Sequence, residues 1–222
     1  MTDAKTSFES NWTTITDLMT IGEEGTRTQP QRASVNRAAL IFVVTAWESY
    51  VEDVVREAAD LMATHCASFE DLPKRVRSSI VSRVTPAKGP GSKSPSGKYA
   101  HDLADHGWRT LLRDFTYDAT EGSNFNTPNS ANVEDLFKSW IGMSVTDHWS
   151  WQRFAAPKAA NRLDETIHLR GSIVHTGSKP TGINRNWIYT YGEANIRKLV
   201  ERTDIAVIEH VNEVCQKDAW GA

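Results

Sequence analysis

The sequence predicts an all-α fold, and three observations carry that reading. Apolar residues recur at helical spacing over most of the chain, residues that start and stop helices bound most of those stretches, and only one short segment has strand character. The 222 residues are enough for one large domain with a substantial core. Hydrophobic residues make up 39 % of the chain and the net charge is −3, which excludes a disordered, highly charged polypeptide.

The elements follow in order. Phe8, Trp12, Ile15 and Leu18/Met19 share one stripe of a first helix, which Gly22 and Gly25 end. A long helix is predicted over 34–64, with Val43, Val44, Trp47, Val51, Val54, Val55, Ala58, Leu61 and Met62 on the 3.6-residue period. Its first half is apolar on nearly every side, which makes it the central helix of a bundle. Asp71 and Pro73 mark the start of a helix carrying Val76, Ile80 and Val84. Residues 85–98 are rich in proline, glycine and serine and predict an irregular surface loop. A helix is expected over 99–117 (Leu103, Trp108, Leu111, Leu112, Phe115), then a second irregular loop over 121–132 and a short helix over 133–141. Pro157 opens a helix that Gly177 closes. The run Trp187–Tyr191 is the strand-like piece, and a final amphipathic helix over 193–216 buries Ile196, Leu199, Val200, Val207, Val211 and Val214. The expected architecture is a single domain over 1–222, with about four long helices and a decorated, loop-rich middle.

The apolar stretch from Ala38 to Trp47 is too short to cross a bilayer, which needs about 20 residues. The polar N-terminal residues lack a secretory signal, and Cys66 and Cys215 form neither a CxxC pair nor a disulfide framework. A cytoplasmic protein with no membrane attachment is expected.

Charge is unevenly placed. Between residues 74 and 98 stand Lys74, Arg75, Arg77, Arg83, Lys88, Lys93 and Lys98 with no acid, so the rest of the chain carries −10. Such a block suits an arm that contacts phosphates, with Lys74, Arg75, Arg77, Lys88, Lys93 and Lys98 as the candidate contacts, which become RNA-binding candidates under the resemblance described below; a solvated loop is the plainer reading. Trp12, Trp47, Trp108 and Trp140 lie on apolar stripes, whereas Trp149, Trp151 and Trp187 in connecting segments are candidates to stack on bases. His101/Asp105 and Asp102/His106 form i,i+4 pairs, a weak metal-binding pattern, and no metal ligand set or cofactor motif is assigned.

The chemistry concentrates in the last third. Arg170 and His175 lie five residues apart at a helix end, joining a cation that does not deprotonate to an imidazole that titrates near neutrality. That pair suits phosphodiester chemistry: a guanidinium stabilises charge building on phosphate oxygens, and an imidazole moves a proton. Five residues at about 100° each set the two side chains about 140° apart on a straight helix. They converge on one phosphate if Arg170 reaches along the helix, if the last turn distorts, or if a second subunit contributes. The plainer alternative is that both cap the helix and pair with Asp164 or Glu165. Glu48, an acid in an otherwise apolar helix, needs a partner, with Arg37 and Arg170 as the options.

Arg170-Gly-Ser-Ile-Val-His175 resembles the R-x4-H motif of the HEPN superfamily of ribonucleases and RNA-binding domains. The segment Asn36 to Asp53, with Ala46-Trp47-Glu48 inside it, resembles the first core helix of its RiboL-PSP-type branch. The resemblance implies an all-α, homodimeric, metal-independent endoribonuclease in which the ribose 2′-OH attacks the adjacent phosphate and leaves a 2′,3′-cyclic phosphate. It implies Arg170 and His175 as the catalytic pair, Glu48 as a helper, RNA as substrate and a dimer formed through the Arg170/His175 helix end. It also implies a toxin or phage-defence role with an antitoxin or defence-system partner. Many active members carry a polar residue after the arginine, where this chain has Gly171. One subgroup carries a tyrosine two residues after the histidine, where this chain has Gly177. The alternative from a different class is a non-catalytic HEPN module that binds RNA or a partner.

Overall fold

The computed structural model describes residues 1–23, 25, 27–86, 94, 96–125, 127–177 and 182–221; Lys88 and Lys93 lie outside them. Among the described residues there is no strand, and the chain is a helical bundle. Its elements are α1 (Asp3–Glu23), α2 (Gln29–His65), α3 (Lys74–Val84), α4 (Gly107–Thr120), α5 (Ser130–Trp140), α6 (Ala156–Thr176), α7 (Arg185–Trp187) and α8 (Arg197–Cys215). A π-helical segment, Ile188–Ile196, joins α7 to α8.

Helix α2 is the axis of the bundle. From Ala39 to Ala63 it buries Leu40, Val43, Val44, Trp47, Tyr50, Val51, Val54, Val55 and Met62 against neighbours on several sides. One stripe departs from the all-round burial expected of its first half. Phe42 is 46 % exposed, Thr45 is exposed, and Glu48, Ser49 and Glu52 are half-buried. The helix also starts earlier than position 34, because Pro30 occupies its first turn and the Thr28 backbone N–H donates to the Gln31 side chain at 2.9 Å.

The first helix folds back along α2, and side chains from two other helices hold its start. Its unpaired N–H groups find acceptors: Lys5 N–H donates to Thr2 Oγ1 (3.0 Å), and Asp3 and Ala4 N–H donate to the Glu57 carboxylate of α2 (both 3.1 Å). Buried Asp204 of α8 accepts from both Thr2 N–H (3.1 Å) and Thr2 Oγ1–H (2.6 Å).

The tryptophans connect the centre to the decorated middle. Trp47 donates its indole N–H to the Pro128 carbonyl at 2.9 Å and meets Trp149 edge to face, with ring centroids 5.9 Å apart. Trp149 donates in turn to Thr203 Oγ1 (3.0 Å) and is fully buried, so it is a core residue and not a platform for bases. The 121–132 segment is accordingly more than a surface loop. Phe125 and Pro128 are buried, and its last three residues already belong to α5, whose N-cap Asn129 accepts from Asn132 N–H at 2.8 Å.

Two other expectations are corrected. The helix predicted over 99–117 is a 3-10 turn (Ala100–Leu103), a left-handed Asp105 (φ 52°), and only then α4. A Cβ at Gly107 would fall 2.0 Å from the Asp102 carbonyl, so this tight corner requires glycine. The strand-like run Trp187–Tyr191 is helical. Its alternation conceals an i,i+4 aromatic pair, Trp187 and Tyr191, whose rings stack at 4.4 Å, and the Asn184 side chain caps the start by accepting from Trp187 N–H. Cys66 and Cys215, 149 residues apart in sequence, bring their sulfurs to 3.7 Å at the ends of α2 and α8.

Asp204→Ala leaves the two donors of Thr2 unpaired in a buried place and should cost about 1–3 kcal/mol. Urea unfolding checks this, and a midpoint unchanged from wild type would contradict it.

Candidate active site at the end of helix α6

Helix α6 is anchored by its first half and presents its second. Ala159, Leu163, Thr166 and Ile167 are buried, whereas beyond them Leu169 and Ile173 are half-buried, Val174 is 48 % exposed and His175 is exposed. The helix stays α-helical to Thr176, and Gly177 ends it in the left-handed region (φ 61°) with its N–H returned to the Ser172 carbonyl. No distortion of the last turn therefore brings Arg170 and His175 together. They leave the helix about 140° apart with a rise of about 7.5 Å between them.

Of the two partners open to Glu48, Arg170 is the one whose charge acts on it. Burial raises the Glu48 carboxyl above the ordinary range, and the Arg170 charge partly offsets this. Yet Arg170 has no ion pair within 4 Å among the described residues, and its buried Nε has no hydrogen-bond partner. The acids that would have tied it into the helix surface are engaged elsewhere. Asp164 accepts from Ser130 N–H and Oγ–H at 2.7 Å each and so holds the start of α5, and Glu165 acts on Tyr191. The Arg170 charge thus acts on a carboxylate with which it forms no ion pair among the described residues. A Cβ added at Gly171 would meet nothing within 4 Å, which leaves space beside Arg170 open.

Sequence reasoning missed Glu52. It lies one turn beyond Glu48 on the same uncovered stripe of α2, an i,i+4 spacing that could have flagged it. Its carboxyl is pushed up to about 7, chiefly by burial and further by Glu48 and Asp53, with Arg56 opposing. The stripe therefore carries two carboxyls of raised pKa, with Arg170 close enough to act on the first.

The other predicted residues are not brought to this place. Lys74 and Arg75 are exposed on α3, and Arg75 faces Asp135 of α5 at 3.9 Å. Arg77 is half-buried with its Nε unpartnered, and Lys98 faces Asp114 of α4 at 3.8 Å. Acids from neighbouring helices thus meet a block that is free of acids along the chain. His101, Asp102, Asp105 and His106 occupy the 3-10 turn and the corner after it, not one α-helical face. Among the described residues no three His, Cys, Asp or Glu groups cluster to hold a metal. Trp151 is half-buried and stacks on Phe154 (4.7 Å), as Trp187 does on Tyr191. No described helix is long and apolar enough to cross a membrane.

An all-α bundle built on a buried Ala-Trp-Glu helix, with an R-x4-H motif closing another helix beside it, defines a HEPN-type domain. The profile of the RiboL-PSP-HEPN family matches residues 7–209, and the chain belongs to that family. Comparisons with curated proteins and with solved structures gave no match.

The raised Glu52 carboxyl has a consequence for stability. It holds its proton more tightly when folded than when unfolded, so its contribution is favourable below the ordinary value of 4.5 and is lost as pH rises to about 7. Glu52→Gln should raise the melting temperature by a few degrees at pH 8 and hardly change it at pH 4. Thermal melts across that range decide the matter, and an equal gain at both pH values would contradict it.

Proposed function

We propose that this protein is an endoribonuclease that cleaves single-stranded or looped RNA by attack of the ribose 2′-OH on the adjacent phosphate. Arg170 carries the charge that builds on the phosphate oxygens, and His175 moves the proton at the attacking or leaving oxygen. The observation that supports this most is Arg170 itself, a half-buried guanidinium with an unpartnered Nε, close enough to act on Glu48 yet free of any close ion pair among the described residues. Glu48 then orients the guanidinium, and Lys74, Arg75, Arg77 and Lys98 steer RNA toward the domain. In this scheme the two active side chains, with no bound metal, supply charge and proton transfer.

The site is composite. Because Arg170 and His175 diverge by about 140°, one linkage meets Arg170 of one protomer and His175 of a second copy. The surface around the motif is consistent with such a pairing. The Asn36 side chain of α2 donates to the Ile183 carbonyl at 3.3 Å, and α2 packs against α6. Both helices leave an apolar side chain exposed, Phe42 on α2 and Val174 on α6. A toxin or phage-defence role, with an antitoxin or other partner that restrains it, accords with the family.

Purified protein should cleave RNA in the presence of EDTA and leave 2′,3′-cyclic phosphate and 5′-hydroxyl ends. His175→Ala should lower the rate by about 10²–10⁴-fold and Arg170→Ala by about 10²–10³-fold, with the fold retained by circular dichroism. Absence of cleavage by the wild-type protein, with RNA still bound, would support a non-catalytic RNA-binding module instead. Cleavage abolished by EDTA would contradict the scheme.

A further inference from the structure

A cleft of about 690 Å³ opens between α3, α4 and α5, on elements that take no part in the proposed active site. Its volume falls in the range of small-molecule sites, about 300–1,000 Å³. Arg83 of α3 organises it. The guanidinium lies over the buried Trp140 ring (4.7 Å to the centroid) and against Phe115 (5.4 Å), which fixes its orientation. Its one hydrogen bond among the described residues is a long one, to the Phe115 carbonyl at 3.4 Å, and no carboxylate lies within ion-pair distance. Burial lowers the Arg83 pKa, as expected of a cation short of compensation, although Asp118 opposes this. Three serines line the same cleft: the Ser82 hydroxyl donates to the Ser79 carbonyl at 2.8 Å, whereas the hydroxyls of Ser79 of α3 and Ser139 of α5 have no hydrogen-bond partner among the described residues. Arg75, also in the lining, has a single ion-pair partner among the described residues, exposed Asp135 at 3.9 Å.

We propose that this cleft binds one nucleotide unit, its phosphate held by Arg83, Arg75 and the hydroxyls of Ser79 and Ser139. Phosphate fits this donor set because a planar guanidinium with most of its N–H groups uncommitted binds it in bidentate fashion, and hydroxyls supply further donors. The charge of the lining limits the ligand. Two arginines are balanced by Asp118 and Asp135, so the cleft suits one phosphate and not a triphosphate. Those two carboxylates accept from donors that inorganic phosphate lacks, the ribose hydroxyls and the amino groups of bases. A free nucleoside monophosphate and a nucleotide within an RNA strand offer the same chemistry.

Titration calorimetry on Arg170→Ala protein, which separates this cleft from the α6 site, tests the proposal. The probes are the four nucleoside monophosphates, ATP, inorganic phosphate, and a short oligoribonucleotide that keeps its 2′-hydroxyls, since Arg170→Ala protein does not cleave it. A monophosphate or the oligomer should bind at least tenfold more tightly than inorganic phosphate, and a monophosphate more tightly than ATP. Binding of the monophosphate identifies a free nucleotide as the ligand, and binding of the oligomer alone identifies a strand. Arg83→Gln should weaken binding at least tenfold. Because Arg83 packs on aromatic rings, Ser79→Ala/Ser139→Ala provides a second variant, expected to lose several-fold in affinity at an unchanged melting temperature. No binding by any probe, or affinity unaltered in both variants, would overturn the proposal.

Discussion

The bundle depends on burying a single long helix around most of its circumference. From Ala39 to Ala63, α2 hides aliphatic and aromatic side chains against α1, α4, α6 and α8, and the hydrophobic contribution of that burial is the largest favourable term available to a chain of this size. Trp47 at its middle also has a polar edge to satisfy, and its N–H reaches the Pro128 carbonyl. The same requirement fastens Trp149 to Thr203. Connections that look irregular along the chain are therefore fixed in place by two indoles.

Burial that is nearly complete makes the exception informative. The stripe of α2 carrying Phe42, Thr45, Glu48 and Glu52 is the part the bundle leaves uncovered, and the charge of Arg170 on α6 acts on Glu48 within it. Carboxyls partly removed from water hold their protons more readily, and a guanidinium nearby counteracts this for the closer one. Because Asp164 serves the start of α5 and Glu165 acts on Tyr191, no acid on its own helix neutralises Arg170. Charge left uncompensated at a helix end with an open flank is the physical basis of the phosphate-binding role proposed for it.

Much of this was legible in the sequence, and where it was not the reasons are physical. Period and end signals located α1, α2, α6 and α8, because Pro157, Gly177 and the valines of α8 act locally. The R-x4-H motif and the Ala-Trp-Glu helix led to the family that the profile match establishes. Pattern misled where tertiary contacts decide. The alternation at Trp187–Tyr191 resembled a strand until Gly192 let the segment close on Trp12 and Val43 as a helix. The corner at Asp105–Gly107 depends on a backbone approach that periodicity does not register. The basic block was free of acids only along the chain, since Asp135 and Asp114 come from other helices. The meeting of Cys66 with Cys215 and the role of Glu52 likewise needed the third dimension.

The central claim is that Arg170 and His175 act on one RNA linkage from two copies of the chain. Mixing inactive Arg170→Ala protein with inactive His175→Ala protein, under conditions that exchange subunits, tests it most directly. Half of the randomly mixed dimers would each hold one site with Arg170 from one protomer and His175 from the other, so about a quarter of wild-type cleavage should return. If no activity returns while mixed dimers demonstrably form, the two groups do not meet across a subunit interface and the composite site is wrong.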